Sequence, residues 1–313
     1  MKAIIPPVNR DLIERELTES RFIRKTNKGG NKLYIIDCYN APNVLREIGR
    51  LRELTFRNAG GGTGEEVDLD ELDTTDDPYQ QLIVWDPQKG EILGGYRFQV
   101  CKENEIQNNI KKLATSKLFN YSDKFIHDYL PYTIELGRSF VQPAYQSTNR
   151  ENKALYALDN LWDGLGALII MYPTKKYFFG KVTMYKNYNE RARNLILYFM
   201  EKHFPDNEGL VTPKELFDTG MNIEEMKEIF DGKNYMEDYK ILSQNVRAFG
   251  ENIPPLINAY MNLSPSMKSF GTVINHHFGY VEETAIMITI NDLYIKKVER
   301  HIKSYLPRFK FFR

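Results

Sequence analysis

The stretch from Tyr132 to Val141 has the pattern of a β-strand, yet it carries a carboxylate and a guanidinium three residues apart, at Glu135 and Arg138. Side chains three apart on a regular strand point to opposite faces, so these two groups would not meet. Gly137 lies between them, and a glycine inside a strand often marks a bulge, whose extra residue would bring both charges to one face. The pattern therefore predicts a polar pocket opening on a sheet, with a structural ion pair at a sheet edge as the alternative.

Motifs for a metal or a covalent nucleophile do not accompany this pair. His276 and His277 are neighbours on a predicted strand, so their rings point to opposite faces and cannot chelate one ion. Ser139 lacks the flanking glycines of a nucleophile elbow, and the sequence contains neither HExxH nor GxSxG. We therefore expect chemistry without a metal or a bound cofactor.

Two loop segments precede this strand. Gly60 to Gly64 follows a predicted helix and lacks the Lys-Ser/Thr ending of a P-loop, so it predicts a flexible connector rather than a phosphate site. Residues 65 to 77 hold eight acids and no basic residue, and Leu72 occupies the third ligand place of a calcium loop, which argues against calcium. A solvated acidic turn and an electronegative rim that attracts an amine substrate are the alternatives.

Two later stretches are basic. Residues 165 to 188 contain four lysines and no acid, which fits a phosphate-bearing or acidic partner or a merely solvated face; the lysines are Lys175, Lys176, Lys181 and Lys186. The last fourteen residues, RHIKSYLPRFKFFR, mix basic residues with Tyr305, Phe309, Phe311 and Phe312. This composition fits a membrane-surface anchor or an ordinary terminal helix with a frayed tail.

The elements that position these residues alternate between periods of two and 3.6. Strands are predicted at 33–38, 80–86, 91–100, 132–142, 176–185, 271–278 and 284–290, and helices at 43–56, 152–171, 189–203 and from Asn291. Residues 205–263 are mostly helical and polar, so we interpret them as an insertion within a single domain covering 1–313. The fold class is mixed α/β, or α+β, with helices packed on the sheet.

Bulk composition excludes several classes of protein. The 42 basic and 42 acidic residues balance, so nucleic acid is not an expected partner. Cys38 and Cys101 lie far apart without metal-ligand spacing, which fits a reducing cytoplasm. The N-terminus breaks its apolar run with two prolines, and the longest apolar run falls well short of the ~18 to 20 residues that span a bilayer. We expect a cytoplasmic protein, or one peripheral to the inner membrane.

Four local patterns in order over residues 52 to 145 resemble the GNAT acyltransferases, whose mainly antiparallel sheet is flanked by helices. The likeness is greatest to the branch of ornithine-lipid (hemolysin-like) N-acyltransferases and acyl-homoserine-lactone synthases. The patterns are Arg52-x-x-x-Phe56, Asp70-x-x-Asp73, Gly94-x-x-Arg97 and Glu135-Leu-Gly-Arg138-Ser139.

The resemblance implies roles for these residues. Glu135 would be the base that deprotonates an amino-acid amine, and Arg138 would act beside it, since an amine is protonated at neutral pH and must lose that proton to attack a thioester. Arg97 and Arg138 would hold the acceptor's carboxylate or orient the acids. The substrate-binding set comprises Arg97, Ser139, Arg52, Phe56, Asp70 and Asp73, in which the two aspartates would also order the first helix through Arg52.

Two departures from the family pattern refine the expected substrates. A tryptophan that the synthases carry beyond the first helix is replaced here by the glycine run, which argues against an acyl-homoserine-lactone product. The segment Gln146 to Asn152 lacks the glycines that hold the pyrophosphate of coenzyme A, which favours acyl carrier protein as the donor, with Lys175 and Lys176 at its phosphate.

The resemblance implies ornithine or glycine as the acceptor and a long, often 3-hydroxylated, acyl chain, giving a lyso-aminolipid. A synthase of a diffusible acylated amino-acid signal is one alternative. A non-catalytic module that binds acyl carrier protein or membrane is the other.

Overall fold

The computed structural model describes residues 1–146 and 152–305. Most of the Gln146 to Asn152 segment, together with Phe309, Phe311 and Phe312, lies outside the described residues. The chain divides into two compact units, of which unit 1 combines residues 1–100, 134–176 and the segment from 293 onward. Unit 2 combines residues 101–133 and 177–292. The single domain with residues 205–263 as its insertion stays a prediction.

The strands of the described residues alternate with helices along most of the chain. In chain order the strands are β1 (Phe22–Lys25), β2 (Lys32–Ile36), β3 (Gln80–Asp86), β4 (Glu91–Val100), β5 (Phe119–Tyr121), β6 (Thr133–Val141), β7 (Tyr177–Met184), β8 (Val211–Pro213), β9 (Lys268–Asn275) and β10 (Val281–Thr289). The hairpin strands β3 and β4 have the predicted bounds. The other predicted strands are present, with ends that differ from the predicted ones by up to three residues.

The helices begin at recognisable signals. Pro42 stands at the start of the second helix, and Asn189 caps the fifth by accepting hydrogen bonds from the backbone N–H groups of Arg191 and Ala192. The helices are α1 (Arg10–Glu16), α2 (Pro42–Asn58), α3 (Ile106–Lys112), α4 (Asn152–Met171), α5 (Glu190–His203), α6 (Ile223–Ile229), α7 (Tyr235–Ala248), α8 (Pro255–Met261) and α9 (Ile295–Lys297).

Unit 1 is built on the strand order β1-β2-β3-β4-β6, in which every neighbouring pair is antiparallel. Nearly every residue of β3 and β4 is buried, because helices cover the sheet. Helix α4 packs on these two strands, and a Cβ on its Gly164 would lie 2.6 Å from the Leu82 side chain and 2.7 Å from the Tyr96 hydroxyl. This arrangement confirms the predicted class, a mixed α/β fold with a mainly antiparallel sheet flanked by helices.

Unit 2 places β10 between β7 and β9, again with antiparallel pairing. Its core is rich in aromatic side chains, among them Phe119, Phe125, Phe179 and Phe270. Within 205–263, α6, α7 and α8 confirm the helical pattern, but β8 was not predicted; it pairs with β5.

Two predicted element ends are wrong. His276 and His277 lie in the turn after β9 rather than on a strand, because the Asn275 side chain accepts from the His277 N–H and Gly279 takes a left-handed φ of 72°. The helix predicted from Asn291 begins at Ile295. Neither α1 nor β1 was predicted, since each is short and mostly polar.

Among the described residues, no helix is both long and apolar enough to cross a membrane.

The C-terminal segment of unit 1 is held against α4 by polar contacts and close backbone packing. The buried His301 places its Nδ1 2.8 Å from a carboxylate oxygen of Asp163, which is fully buried. Asn27 donates to both oxygens of the same carboxylate, at 2.7 and 2.6 Å. A Cβ at Gly166 would lie 2.2 Å from the carbonyl oxygen of His301.

We expect Gly166→Ala to lower the free energy of unfolding by about 1–3 kcal/mol, the usual cost of overpacking, because the obstructing atom is backbone and cannot rotate away. Urea denaturation measures this loss. Met171→Ala, at the exposed end of α4, is the matched control and should cost much less. Equal stability of the two variants would contradict the close approach of α4 to the C-terminal segment.

Candidate active site

Strand β6 contains the predicted bulge. Its register with β4 pairs Phe140 with Gly95 but Gly137 with Arg97, so three steps along β6 match two along β4. The extra residue falls at Arg138 and Ser139, and Arg138 has a φ of 50°, which is rare for a residue other than glycine. The bulge therefore follows Gly137, and its left-handed residue is the arginine.

Glu135 and Arg97 project from the same face of the sheet. Directly opposed residues in an antiparallel pair share a face, and β4 opposes Gly137 with Arg97 and Glu135 with Gln99. Arg97 and Gln99 are two residues apart on one strand, so they also share a face. Leu82 and Tyr96, which contact α4, point the other way.

Three arginines and three aspartates meet on the Glu135 face. Arg52, from α2, contacts Asp68 at 3.2 Å and Asp73 at 3.3 Å. Arg97 donates to both oxygens of Asp70, at 2.7 and 3.0 Å, and to Asp73 at 3.0 Å. Arg138 reaches Asp68 at 2.9 Å. These six residues, here called the arginine–aspartate cluster, carry three positive and three negative charges.

A short turn positions the two aspartates at its ends. Residues Glu71–Asp73 form a single 3-10 turn in which the Asp70 carboxylate accepts from the Leu72 N–H at 3.0 Å. The Asp73 carboxylate accepts in return from the Asp70 N–H at 3.1 Å, which completes a capping box. Although burial acts to raise the pKa of Asp73, the charges of Arg52 and Arg97 hold that pKa well below its usual range.

Glu135 is connected to the cluster through Tyr79. Both side chains are about 1% exposed, and the Tyr79 hydroxyl donates a hydrogen bond to Glu135 Oε2. The Arg97 guanidinium lies over the Tyr79 ring, 4.9 Å from its centroid. The site is therefore a buried carboxylate on a bulged strand, beside a charge-balanced cluster.

Comparison with known proteins identifies the family of the chain. Residues 51–155 match the model of the acetyltransferase (GNAT) domain, a span that contains the cluster, Tyr79 and the whole of β6. A glycine N(alpha)-acyltransferase of Bacteroides thetaiotaomicron is 55% identical over 98% of this chain and 91% of its own length. One of Phocaeicola vulgatus is 50% identical over 98% of this chain and 95% of its own length. The chain belongs to their family of GNAT acyltransferases.

As a GNAT acyltransferase, the chain catalyses acyl transfer to an amine. This confirms the broad resemblance and the expectation of an enzyme. The narrower relation to ornithine-lipid enzymes and acyl-homoserine-lactone synthases stays a prediction. So do the individual roles of the site residues.

The acyltransferase brings most of the predicted site residues together, with one contact reassigned. Arg52 was expected to contact Asp70, but Asp68 takes that place and Asp70 binds Arg97 instead. The Asp70 carboxylate accepts instead from the Leu72 N–H and the Arg97 guanidinium. Phe56 is buried in α2, and Ser139 is half-buried in the bulge.

The role of the two lysines predicted at the donor stays a prediction. Lys175 is half-buried and Lys176 exposed, in the turn after α4. Helix α4 packs on the sheet face opposite the one that carries Glu135.

Within residues 1–146 and 152–305, no three His, Cys, Asp or Glu side chains come together as a metal site.

The glycine loop of the acyltransferase is anchored rather than a free connector, which corrects the prediction. Glu53, from α2, accepts hydrogen bonds from the Thr63 N–H at 3.0 Å, the Thr63 hydroxyl at 2.7 Å and the Gly64 N–H at 2.8 Å. Gly62 and Gly64 have φ values of 91° and 80°, which turn these amides toward the carboxylate. The amides of the loop thus bind the carboxylate of Glu53.

Sequence reasoning missed Tyr79, and it counted Asp68 only among the acids of its loop. Tyr79 lies two residues before Gln81, which pairs with Arg97. Extending the period of two by one step beyond β3 would have placed Tyr79 on the face of Arg97. Asp68 offered no such signal, because it lies in irregular structure between α2 and the capping-box turn.

Proposed function

We propose that this acyltransferase transfers a long-chain fatty acyl group from acyl carrier protein to the amine of glycine or a similar amino acid, producing a lyso-aminolipid. The names of the two relatives, both glycine N(alpha)-acyltransferases, support the acceptor class. The observation that carries the chemistry is the buried Glu135 carboxylate on the bulged strand, beside the arginine–aspartate cluster.

The charges of the site favour an ammonium as the incoming group. Within the cluster the three arginines balance the three aspartates, so adding Glu135 gives these seven side chains a net charge of minus one. A buried negative charge attracts the protonated amine of an amino acid and can then accept its proton.

The proposed reaction requires one proton transfer before acyl transfer. Glu135 takes a proton from the ammonium, directly or through water, and the freed amine attacks the thioester carbonyl. We place the oxyanion beside the β6 bulge, where a backbone N–H at the local disruption of the ladder would donate to it. The new C–N bond forms and the C–S bond breaks, and the departing thiolate of the carrier takes the second proton of the attacking nitrogen. Glu135 then releases the first proton to water.

The arginines divide into two proposed roles. Arg97 uses both terminal nitrogens on aspartates, which supports the orienting role. The Arg138 side chain is 15% exposed, compared with 1% for Arg52 and 3% for Arg97. Arg138 is therefore our candidate for contacting the acceptor's carboxylate, as a guanidinium does well.

Acyl carrier protein remains the proposed donor, because the segment after Tyr145 lacks the glycines that hold a pyrophosphate. We propose that Lys175 and Lys176 meet the phosphate or acidic surface of this donor. An association with the inner membrane, where a lyso-aminolipid would partition, is part of the same proposal.

The proposal can be tested with purified enzyme and a panel of amino acids. The acyl donor is either acyl-loaded acyl carrier protein or acyl-coenzyme A, and mass spectrometry identifies the products. We expect glycine to be a preferred acceptor, and a higher kcat/KM with the carrier-bound donor. Lipid extracts of expressing cells should contain the N-acyl amino acid in the organic phase. Absence of transfer to every amino acid tested would overturn the proposed function, and a medium-chain product confined to the culture medium would favour a signal synthase.

A further inference from the structure

Tyr79 has no role in the reaction as derived so far, although it is as deeply buried as Glu135. Its hydroxyl donates to Glu135 Oε2, and its backbone N–H donates to the Leu72 carbonyl at 2.8 Å. One residue therefore joins the candidate base on β6 to the capping-box turn that holds Asp70 and Asp73.

The ring of Tyr79 is also fixed from above. Arg97 stacks its guanidinium 4.9 Å from the ring centroid, while Asp70 and Asp73 hold that guanidinium by three hydrogen bonds. Gln81, two residues along the chain, donates to Asp73 at 2.9 Å and to the Tyr79 carbonyl at 3.3 Å. The phenol therefore has its backbone and its ring face held by neighbouring groups, and its hydroxyl directed at the carboxylate.

We infer that Tyr79 is a positioning residue for the acyl transfer: its hydroxyl orients Glu135 and favours the charged carboxylate that accepts the amine's proton. A phenol hydroxyl can donate to a carboxylate and can accept from a carboxylic acid, so it serves Glu135 in both states. The inference rests on the proposed function, in which Glu135 is the base. It adds a residue outside the patterns on which the family resemblance depends.

The charged groups near Tyr79 and Glu135 determine how the pH dependence of kcat/KM responds to a substitution of Tyr79. Charged groups around Tyr79 include Glu135 at its hydroxyl, Arg97 over its ring and, through Arg97, Asp70 and Asp73. Burial acts to raise the pKa values of both aspartates, but the charge of Arg97 at Asp70, and those of Arg52 and Arg97 at Asp73, keep them below their usual ranges. Both aspartates are therefore charged throughout the neutral region. A change in the profile between pH 5 and 8 therefore does not come from these two aspartates.

Tyr79→Phe removes the hydroxyl and keeps the ring under Arg97. We expect kcat to fall by about tenfold with little change in KM, because a hydrogen bond to a charged group contributes on the order of one power of ten to an equilibrium. The acid limb of the kcat/KM profile should move to higher pH by about one unit for the same reason. Tyr34→Phe, a buried tyrosine on β2, is the matched control and should leave both the profile and kcat unchanged.

A purely structural Tyr79 would lower the melting temperature or kcat without moving the acid limb, and a coincident profile for parent and variant would overturn the inference. If the parent enzyme transfers an acyl group to no amino acid, the proposed function is wrong, but the inference about Tyr79 can still be tested by titrating Glu135 directly. Carbon-13 NMR of labelled glutamate, assigned with Glu135→Gln, should show a higher titration midpoint for Glu135 in Tyr79→Phe than in the parent. Equal midpoints would overturn the inference without any assay of activity.

Discussion

Replacing Glu135 by glutamine should lower kcat by ~100-fold or more, the scale expected when a general base is lost. Glutamine has nearly the same shape and can still accept from the Tyr79 hydroxyl, so the fold should survive. Steady-state rates of thiol release from the acyl donor, measured beside circular dichroism spectra, separate lost chemistry from lost structure. Glu71→Gln changes an exposed acid of the capping-box turn and serves as the matched control.

The choice of acceptor sharpens this test. An amine that is weakly basic, such as hydroxylamine, is largely uncharged at neutral pH and needs no base before it attacks. Glu135→Gln should therefore lose much less activity with hydroxylamine than with glycine. An equal loss with both acceptors would show that Glu135 does not act by removing the amine's proton, and full activity with glycine would remove it from the mechanism.

Asp73→Asn should have the largest effect on stability, lowering the free energy of unfolding by about 3–5 kcal/mol, the usual cost of breaking a buried ion pair. Asp73 is fully buried and is the only described aspartate that contacts both Arg52 and Arg97. Asparagine would leave those two buried guanidinium groups sharing too little negative charge. Asp76→Asn, an exposed change in the same acidic stretch, should be nearly neutral.

Tryptophan fluorescence can follow this loss in unit 1 alone, because both tryptophans of the chain, Trp85 and Trp162, belong to that unit. The pH dependence has a defined sign, since the pKa of Asp73 is lower in the folded chain than its ordinary value. Its contribution to stability is present above the ordinary carboxyl range and is lost as the pH falls through the depressed value. The gap between parent and Asp73→Asn should therefore narrow in strong acid, and a gap below about 1 kcal/mol at neutral pH would contradict the assignment.

Local signals were sufficient for much of unit 1. The bounds of β3 and β4 followed from two apolar-rich runs separated by the turn residues Asp-Pro-Gln-Lys-Gly at 86–90. Gly137 indicated the bulge because a glycine in a strand is a local departure from the pattern. The three arginines of the cluster, together with Asp70 and Asp73, could be selected from the four family-like patterns, whereas Asp68 could not. These site residues lie in or next to the strands and helix whose sequence patterns indicated them.

Contacts between distant segments could not be predicted in the same way. Whether Asp68 or Asp70 reaches Arg52 depends on the irregular segment between α2 and the capping-box turn, which carries no periodic pattern. Tyr79 and Glu135 are 56 residues apart, and only the register of β3, β4 and β6 brings them together. The glycine loop was misjudged because its partner, Glu53, lies on a helix and has no local mark of that role.

The bulge in β6 has a consequence for how such a site can arise. On either side of Arg138 and Ser139 the strand pairs with β4 in regular register, so Gly137 and Phe140 still oppose Arg97 and Gly95 on one face. Insertion of a single codon into an uninterrupted ancestral strand would thus have supplied the extra residue, while the side chains before and after it kept their original faces of the sheet. Ancestral reconstruction followed by one-residue deletions would show whether a catalytic kink can be gained or lost in this single step while the rest of the sheet keeps its partners.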